Sequence, residues 1–313
     1  MSLSVIPSFD LSIEHSELVK KTIAYESASL SPNTLRSYKS MCKKFQAWCE
    51  MNNQSFLPTS AETISLYLSS LGETVSFSTL DSMLAAIEAA HEKAGFTIKG
   101  DHSLYRRVRK GIRRTHKENQ SIKQAPAMTV LDLKGVCCKF GKNLKDYRDK
   151  ALLAVTFFGA FRRSEVVSLD VENIEFTEKG MVIFLLQSKT SDKKQNIYIS
   201  FAKDKDICPV SSLKEWIEKA EIKEGAVFRS LLKGNKISNR LSGHAVSEII
   251  KLHFGNEYSG HSARRGLVTA SAEKGTPIHV IKKHSRHKSA DMVLRYIDDS
   301  RGFDDSSVLA LAV

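Results

Sequence analysis

Residues 149–169 read DKALLAVTFFGAFRRSEVVSL, and this stretch decides how the second half of the chain folds. The run 149–158 is almost entirely apolar, which predicts a buried helix. Two consecutive arginines, beginning at Arg162, interrupt the apolar run before it resumes at Val166. Burying even one arginine is costly unless it has a partner. The segment therefore predicts either an exposed turn or a charged site set against the core.

The rest of the second half has mainly helical periodicity. Helices are predicted over 136–140, 211–220, 244–252, 263–274, 278–284 and 290–297. Alternation with a period of two appears only in 181–186 and 195–201, and the residues between these segments are polar and basic. This pattern predicts a β-hairpin with a long basic loop in an otherwise helical domain.

The first third of the chain predicts a compact all-helical domain. Ser31 and Pro32 form an N-cap with proline at the first helical position. Helices are predicted over 14–30, from 32 to about 52, from 61 to 71, over 78–94, and from 103 onward. Residues 118–128, ENQSIKQAPAM, lose the periodicity and predict a linker. We therefore predict a mainly α protein with a helical domain at 1–117, a linker at 118–128, and a second domain at 129–313 that contains a small antiparallel β-sheet.

Composition narrows the class of protein. The 313 residues carry 47 Lys and Arg against 35 Asp and Glu, a formal net charge of +12, which favours a polyanionic partner. No apolar run is long enough to cross a bilayer, and the first residues do not resemble a signal peptide, so we expect a soluble protein that is not secreted. The five cysteines form no CxxC pair, which favours a reducing compartment. We expect Cys137 and Cys138 to pack together in the core.

The helix that begins near Ser103 carries the densest charge in the chain. It has no acidic residue between Leu104 and Lys117, and such a density repels itself unless an anion faces it. A solvated face is the ordinary explanation, and contact with a nucleic-acid backbone is the alternative. The basic residues are Arg106, Arg107, Arg109, Lys110, Arg113, Arg114 and Lys117.

Three further segments carry residues suited to chemistry on an anion. Lys189 lies in the predicted hairpin loop. His261 and Arg264 are three positions apart at a predicted helix start, so both can face one side near the positive end of the helix dipole. His287 is followed nine residues later by Tyr296. Taken singly, each has an ordinary structural explanation, such as a solvated lysine or a surface turn.

The joint pattern is specific. In order along the chain, an arginine, a lysine, a His-x-x-Arg block, a histidine and a tyrosine resemble the tyrosine recombinase (phage integrase) family. The segments SGHSAR at 259–264, WCEMNN at 48–53 and KEN at 117–119 resemble its Cre-like branch. Cre itself has tryptophan where His287 stands, whereas other members of the family have histidine.

The resemblance implies a fold and an activity. The fold would be a two-domain, C-shaped clamp around DNA. The activity would be site-specific recombination, in which a tyrosine attacks a DNA phosphodiester, forms a 3′-phosphotyrosyl linkage and passes through a Holliday junction. The linkage conserves the bond energy, so no cofactor and no metal are implied. Two activities are kept as alternatives: relaxation of supercoils, as by a type IB topoisomerase, and DNA binding without catalysis.

The resemblance also implies roles for single residues. Tyr296 would be the nucleophile, Arg162 and Arg264 would bind the non-bridging oxygens, and Lys189 would protonate the leaving oxygen. His261 would assist proton removal or bind the phosphate. His287 would donate a further hydrogen bond to the phosphate, and Glu165 would hold the basic cluster in place.

Partners follow from the same resemblance. We expect double-stranded DNA with inverted-repeat half-sites, and a homotetramer linked by a C-terminal helix within the tail 298–313. This tail ends in the short apolar segment 306–313, which could instead pack on its own domain. Bases would be contacted either by the helix 78–94 or by the helix that carries Lys39, Lys43 and Lys44. The expected location is the cytoplasm, in association with the nucleoid of a prokaryotic host or with phage or plasmid DNA.

Overall fold

The computed structural model describes residues 16–116, 125–185 and 195–297, and the chain divides into two compact units, Met1–Lys123 and Gln124–Val313. Most of the described residues are helical, and the strands form two small antiparallel sheets. The prediction of a mainly α protein with a small antiparallel sheet is therefore confirmed. Among the described residues, no helix combines the length and apolar character that crossing a membrane requires.

Within the described residues the first unit contains five helices, and polar side chains fix the starts of the last four. The side chains of Ser31, Ser60, Ser76 and Asp101 each accept a hydrogen bond from a backbone N–H in the first turn of the helix that follows. The helices are α1 (Ser16–Ala28), α2 (Pro32–Met51), α3 (Ala61–Leu71), α4 (Phe77–Lys93) and α5 (His102–Thr115).

Helices α2 to α5 share one apolar core. Helix α2 packs on α4, and α3 packs on α5. Phe45, Ile64, Leu68, Leu80 and Ile87 are buried at the centre. The apolar stripe of each helix is covered by the others, which is why a short helical sequence of this pattern forms a stable unit.

The second unit contains eight helices and five strands within the described residues. The helices are α6 (Val130–Cys137), α7 (Leu144–Phe158), α8 (Arg163–Val167), α9 (Pro209–Lys219), α10 (Gly243–Phe254), α11 (Gly260–Glu273), α12 (Ile278–Ser285) and α13 (Ala290–Ile297). The strands are β1 (Ile174–Thr177), β2 (Gly180–Leu185), β3 (Gln195–Ser200), β4 (Arg229–Leu231) and β5 (Ile237–Arg240).

Helix α7, the apolar run of the sequence, lies at the centre of the second unit. It packs on α9 and α11, and its residues from Ala151 to Phe157 are buried. Helix α11 passes so close to the chain before α6 that a Cβ atom at Gly266 would lie 1.8 Å from the carbonyl oxygen of Met128. Glycine at this position is therefore required for the close packing that brings α11 to the end of α7.

The predicted hairpin is present, and the structure adds strands that the sequence pattern did not indicate. Strands β2 and β3 pair antiparallel, with Ile183 opposite Ile197. Strand β1 pairs with β2, and β4 with β5 forms a second sheet. These strands have three or four residues, too few for a period of two to be recognised. The predicted core pair of cysteines is wrong, because Cys137 is buried but Cys138 is exposed.

A buried carboxylate on α7 generates a test of stability. Asp149 is fully buried and pairs with Arg148, Lys145 and His253. Burial alone would raise the pKa of its carboxyl, but the hydrogen bond with His253 and the charge of Arg148 lower it. Replacing Asp149→Asn leaves Arg148 buried without a counter-charge, and we expect the free energy of unfolding at pH 7 to fall by about 3–5 kcal/mol.

Urea unfolding at pH 7 and at acid pH measures this effect. Because the folded-state pKa is depressed, the carboxylate stabilises the protein above the unfolded pKa of about 3.9, and this stability is lost as the pH falls through the folded value. The difference between wild type and Asp149→Asn should therefore shrink in acid. Glu215→Gln, an exposed change on α9, is the control and should alter stability by less than about 0.5 kcal/mol. Equal stability of Asp149→Asn and wild type at pH 7 would contradict the assignment.

Candidate active site and nucleic-acid interface

The turn between α7 and α8 presents a backbone carbonyl to two arginines. A Cβ atom at Gly159 would lie 2.0 Å from the ring of Phe161, so only glycine fits at the end of α7. Ala160 follows with a φ of 46°, a left-handed conformation that is uncommon for alanine. Its carbonyl oxygen accepts hydrogen bonds from Nη1 of Arg264 at 2.8 Å and from Nη2 of Arg286 at 2.9 Å. One backbone oxygen of this turn thus binds two guanidinium groups from residues more than 100 positions further along the chain.

Glu165 is the carboxylate of this cluster. Its Oε2 accepts hydrogen bonds from the backbone N–H of Arg162 at 2.9 Å and from Nη2 of Arg286 at 3.0 Å, and its Oε1 accepts from Nη1 of Arg162. Burial would raise the pKa of the Glu165 carboxyl, but the charges of Arg286 and Arg162 and the backbone hydrogen bond hold it below its usual value. Glu165 is therefore ionised at neutral pH and fixes the side chain of Arg162, which remains partly exposed.

Arg264 lies on α11, one turn after its start, and is only 2% exposed. Its Nη2 is buried and has no hydrogen-bond partner among the described residues. Burial and the nearby charges of Arg162 and Arg286 lower the pKa of its guanidinium to about 9, so it is still cationic at pH 7. A buried cationic donor without a partner is a site at which an anionic oxygen can bind.

His287 lies beside Arg264 and is neutral at pH 7. The hydroxyl of Ser285 donates to the carbonyl oxygen of Ile281, so the contact of 2.7 Å between Ser285 and Nδ1 of His287 assigns the ring proton to Nδ1. Nε2 then accepts a hydrogen bond from Nε of Arg264 at 3.3 Å. Burial and the charges of the neighbouring arginines lower the pKa of His287 to about 4.

His261 lies at the first turn of α11, near the same cations. Burial, followed by the charges of Arg264, Arg163 and Arg162, lowers the pKa of its imidazole. The ring is therefore neutral at pH 7 and can accept a proton. The predicted proximity of His261 and Arg264 at a helix start agrees with the observed start of α11 at Gly260.

Tyr296 lies on α13, next to His287. The centroids of the two rings are 5.5 Å apart, and the guanidinium of Arg265 lies 5.9 Å from the centroid of the Tyr296 ring. The hydroxyl of Thr269 on α11 donates to the carbonyl oxygen of Tyr296 at 3.1 Å. A small core of buried residues from α11, α12 and α13, centred on Val293, holds this helix in place. The Tyr296 ring is thereby held next to His287, which in turn contacts Arg264.

Most of the predicted site residues of the second unit converge, and one participant was not predicted. Arg162, Glu165, Arg264, His287 and Tyr296 form a connected set, with His261 near its cations, whereas the predicted Lys189 lies outside the described residues. The unpredicted participant is Arg286. The sequence feature that could have indicated Arg286 is the predicted helix 278–284, which ends without a glycine shortly before the candidate His287. No group of three or more potential metal ligands is found within 16–116, 125–185 and 195–297.

The basic helix of the first unit is amphipathic. Tyr105 is buried on the inner face of α5, while the basic side chains lie mainly on the outer face. Two of them form ion pairs within the unit, Arg109 with Asp81 and Arg107 with Asp101 at 3.3 Å. Four others are exposed and make no ion pair with a described acidic residue, namely Arg106, Lys110, Arg113 and Arg114.

Further predicted contacts lie on α2. Lys39, Lys43 and Lys44 are all exposed on this helix. Lys39 and Lys43 line a cavity of about 420 Å³ whose lining also includes Phe56 and Ala90. The predicted contact Lys117 lies outside the described residues.

Comparison with known proteins identifies the family of this chain. Residues 128–302 match the family described as the phage integrase family. The chain is 31% identical over 291 residues to an integrase/recombinase xerD homolog of Selenomonas ruminantium, covering 90% of this chain and 85% of that protein. It is 24% identical over 299 residues to recombinase cre of Escherichia phage P1, covering 86% and 84% of the two chains.

A solved structure has the same fold. The Tn1549 transposon integrase, in complex with transposon right end DNA, aligns with a TM-score of 0.62 and 11% identity, covering 94% of this chain and 98% of that chain. The family match spans more than half of the chain, and the first relative matches both units. The chain therefore belongs to the phage integrase family, the tyrosine site-specific recombinases.

Proposed function

We propose that this recombinase cuts and rejoins DNA through a covalent 3′-phosphotyrosyl intermediate in which Tyr296 is the nucleophile. The observation that carries the proposal is the buried Nη2 of Arg264, a cationic donor without a described partner, in the cluster that adjoins the Tyr296 ring through His287. A DNA phosphate is an anion of suitable charge and geometry for a guanidinium fork.

The reaction exchanges one phosphate ester for another. The oxygen of Tyr296 attacks the phosphorus, the bond from phosphorus to the 5′-oxygen breaks, and that oxygen leaves as a hydroxyl after taking a proton. Attack by a 5′-hydroxyl on the phosphotyrosine then reverses the step and rejoins the strand. The bond energy is retained throughout, so the residues of the site supply orientation, proton transfer and charge stabilisation.

Each residue of the site has a defined task in this proposal. Arg162 and Arg264 stabilise the charge that develops on the non-bridging oxygens. His261, neutral at pH 7, accepts the proton of the attacking phenol. His287 contacts the phosphate through its Nε2 edge once that edge is released from Arg264 and protonated. Lys189 is proposed as the acid that protonates the departing oxygen.

Binding to DNA is proposed to use the basic faces of the first unit. The exposed cations of α5 would contact phosphates, and α2 or α4 would contact bases. We further propose two half-sites arranged as inverted repeats, a homotetramer joined through the tail 298–313, a Holliday-junction intermediate and association with the nucleoid. The tail lies outside the described residues. The solved relative in complex with transposon end DNA supports duplex DNA as the partner.

Replacing Tyr296→Phe tests the nucleophile. The probe is a duplex selected by binding to the Tyr296→Phe variant from a library with 40 randomised base pairs, then resynthesised with a series of single nicks. We expect the wild type to form an adduct that is visible on a denaturing gel, also in the presence of EDTA. The adduct accumulates because a nick just 3′ of the cut phosphate lets the short leaving strand diffuse away. Tyr296→Phe should form none while binding the duplex equally well.

Other outcomes of this experiment identify the alternatives. An adduct that survives Tyr296→Phe removes Tyr296 from its proposed role. Selected binding without an adduct at any nick position indicates a DNA-binding protein without catalysis. Relaxation of supercoiled plasmid by a monomer that selects no sequence indicates a type IB topoisomerase activity.

The salt dependence of binding tests which cations of α5 contact DNA. Lys110→Gln removes an exposed lysine, and Arg109→Gln, one position away, removes a guanidinium already engaged by Asp81. Each phosphate contact contributes about 0.9 to the slope of log K against log salt. We expect Lys110→Gln to reduce the slope by about that amount and Arg109→Gln to leave it unchanged, as measured by fluorescence anisotropy on the selected duplex. The opposite result would place Arg109, rather than Lys110, on the phosphates.

A further inference from the structure

Arg286 is a buried arginine that is not among the predicted site residues. It is the residue at which α12 ends, and its φ of 59° places it in the left-handed region, where a side chain with a Cβ atom is disfavoured. Its side chain is 5% exposed. Both the backbone strain and the burial of a cation cost free energy, so a specific set of contacts must hold this residue in place.

Its guanidinium contacts the α7–α8 turn at several points. Nη1 donates to the carbonyl oxygens of Gly159 at 3.0 Å and His284 at 2.8 Å. Nη2 donates to the carbonyl oxygen of Ala160 at 2.9 Å and to Oε2 of Glu165 at 3.0 Å. The guanidinium also lies 4.9 Å from the ring centroid of Phe161. These contacts fix the segment that presents Arg162 to the site.

The charge of Arg286 is as important as its shape. Glu165 already holds Arg162, and it lies within electrostatic range of Arg264. A carboxylate in this position competes with a DNA phosphate for both cations. The ion pair with Arg286 opposes the charge of Glu165 without occupying the exposed side of Arg162.

We infer that Arg286 is a positioning residue whose charge balances Glu165, so that the carboxylate orients Arg162 without weakening the attraction of Arg162 and Arg264 for the scissile phosphate. The inference rests on the proposed function. Arg286 itself is enclosed by protein and does not contact the substrate. A purely structural role would require only that the turn be held, whereas this role requires a positive charge next to Glu165.

Arg286→Met and Arg286→Lys separate charge from packing. Both variants keep an unbranched side chain and the same backbone strain at residue 286, but only lysine keeps the charge. On the nicked selected duplex, with enzyme in excess, we expect Arg286→Met to slow adduct formation by about 100-fold, the scale of a displaced catalytic group. Arg286→Lys should remain within about tenfold of the wild type. Affinity for the duplex should change little for either variant.

A charge-balanced double variant tests the pairing directly. Glu165→Gln combined with Arg286→Met removes both members of the ion pair, and we expect it to recover at least fivefold of the rate lost by Arg286→Met alone. Double-mutant comparison of this kind isolates the interaction between the two residues. If Arg286 only held the α7–α8 turn in place, Glu165→Gln would loosen this turn further, and the rate would not recover.

The pH profile provides a readout that a structural role does not move. The charged and titratable groups around Glu165 are Arg162 at the start of α8, Arg264 on α11, and Arg286 and His287 after α12. Without Arg286, burial raises the pKa of the Glu165 carboxyl, so this group is protonated at a higher pH than in the wild type. The defect of Arg286→Met relative to wild type should therefore grow from pH 6 to pH 8. In the double variant the ratio to wild type should not vary with pH.

The control variant is Arg240→Met, which removes an arginine outside the site that binds an aspartate and two carbonyl oxygens. It should leave the rate within about twofold of the wild type.

The inference is overturned if Arg286→Met stays within twofold of wild type, or if its defect is independent of pH and is not relieved by Glu165→Gln. If Arg286→Met does not fold, a loss above 100-fold in folded Arg286→Lys overturns it. Adducts with wild type but none with Tyr296→Phe keep the proposed function intact whatever Arg286 does.

Discussion

The site depends on the burial of guanidinium groups against one carboxylate, Glu165, and the carbonyl oxygens of the α7–α8 turn. Arg264 and Arg286 are almost fully buried, and Arg162 is partly buried. Glu165 is the carboxylate that pairs with Arg162 and Arg286, so three cations surround one described anion. Burial, and after it the repulsion of Arg162 and Arg286, lowers the pKa of the Arg264 guanidinium. The arrangement therefore holds a surplus of positive charge that an anion relieves. A site of this kind gains electrostatic stabilisation when a phosphate enters and gains more as the phosphate acquires charge.

Close packing of the backbone holds these positively charged side chains in place. Gly159 and Ala160 aim a carbonyl oxygen at two arginines, and Gly266 allows α11 to approach the end of α7. The small core around Val293 then fixes α13 against α11 and α12. The residues of the candidate site are thus held by backbone geometry and apolar contacts, which do not change when the charges of the site change. Preorganisation of this kind reduces the reorganisation required during reaction.

The basic helix of the first unit shows that charge in a sequence is not the same as charge available to a partner. The sequence of α5 has a run of cations without an intervening acid, but the acids come from elsewhere in the unit. Asp81 on α4 engages Arg109, and Asp101 before the helix engages Arg107. The exposed cations that remain, such as Lys110 and Arg113, are still sufficient for a basic face. Only the tertiary structure distinguishes the two groups of cations.

The sequence by itself determined the helical character of both units, the β2–β3 hairpin, the start of α11 near His261, and the pattern of residues that resembles the tyrosine recombinases. These features depend on local periodicity, capping and spacing, which a sequence displays directly. It did not indicate the short strands β1, β4 and β5, the exposure of Cys138, or the burial and contacts of Arg286. Those features depend on contacts between residues distant along the chain, as between Arg286 and Glu165, 121 positions apart. The tertiary structure alone decided which arginines are buried, which are paired and which donor is left for an anion, because burial and pairing are properties of the packed chain.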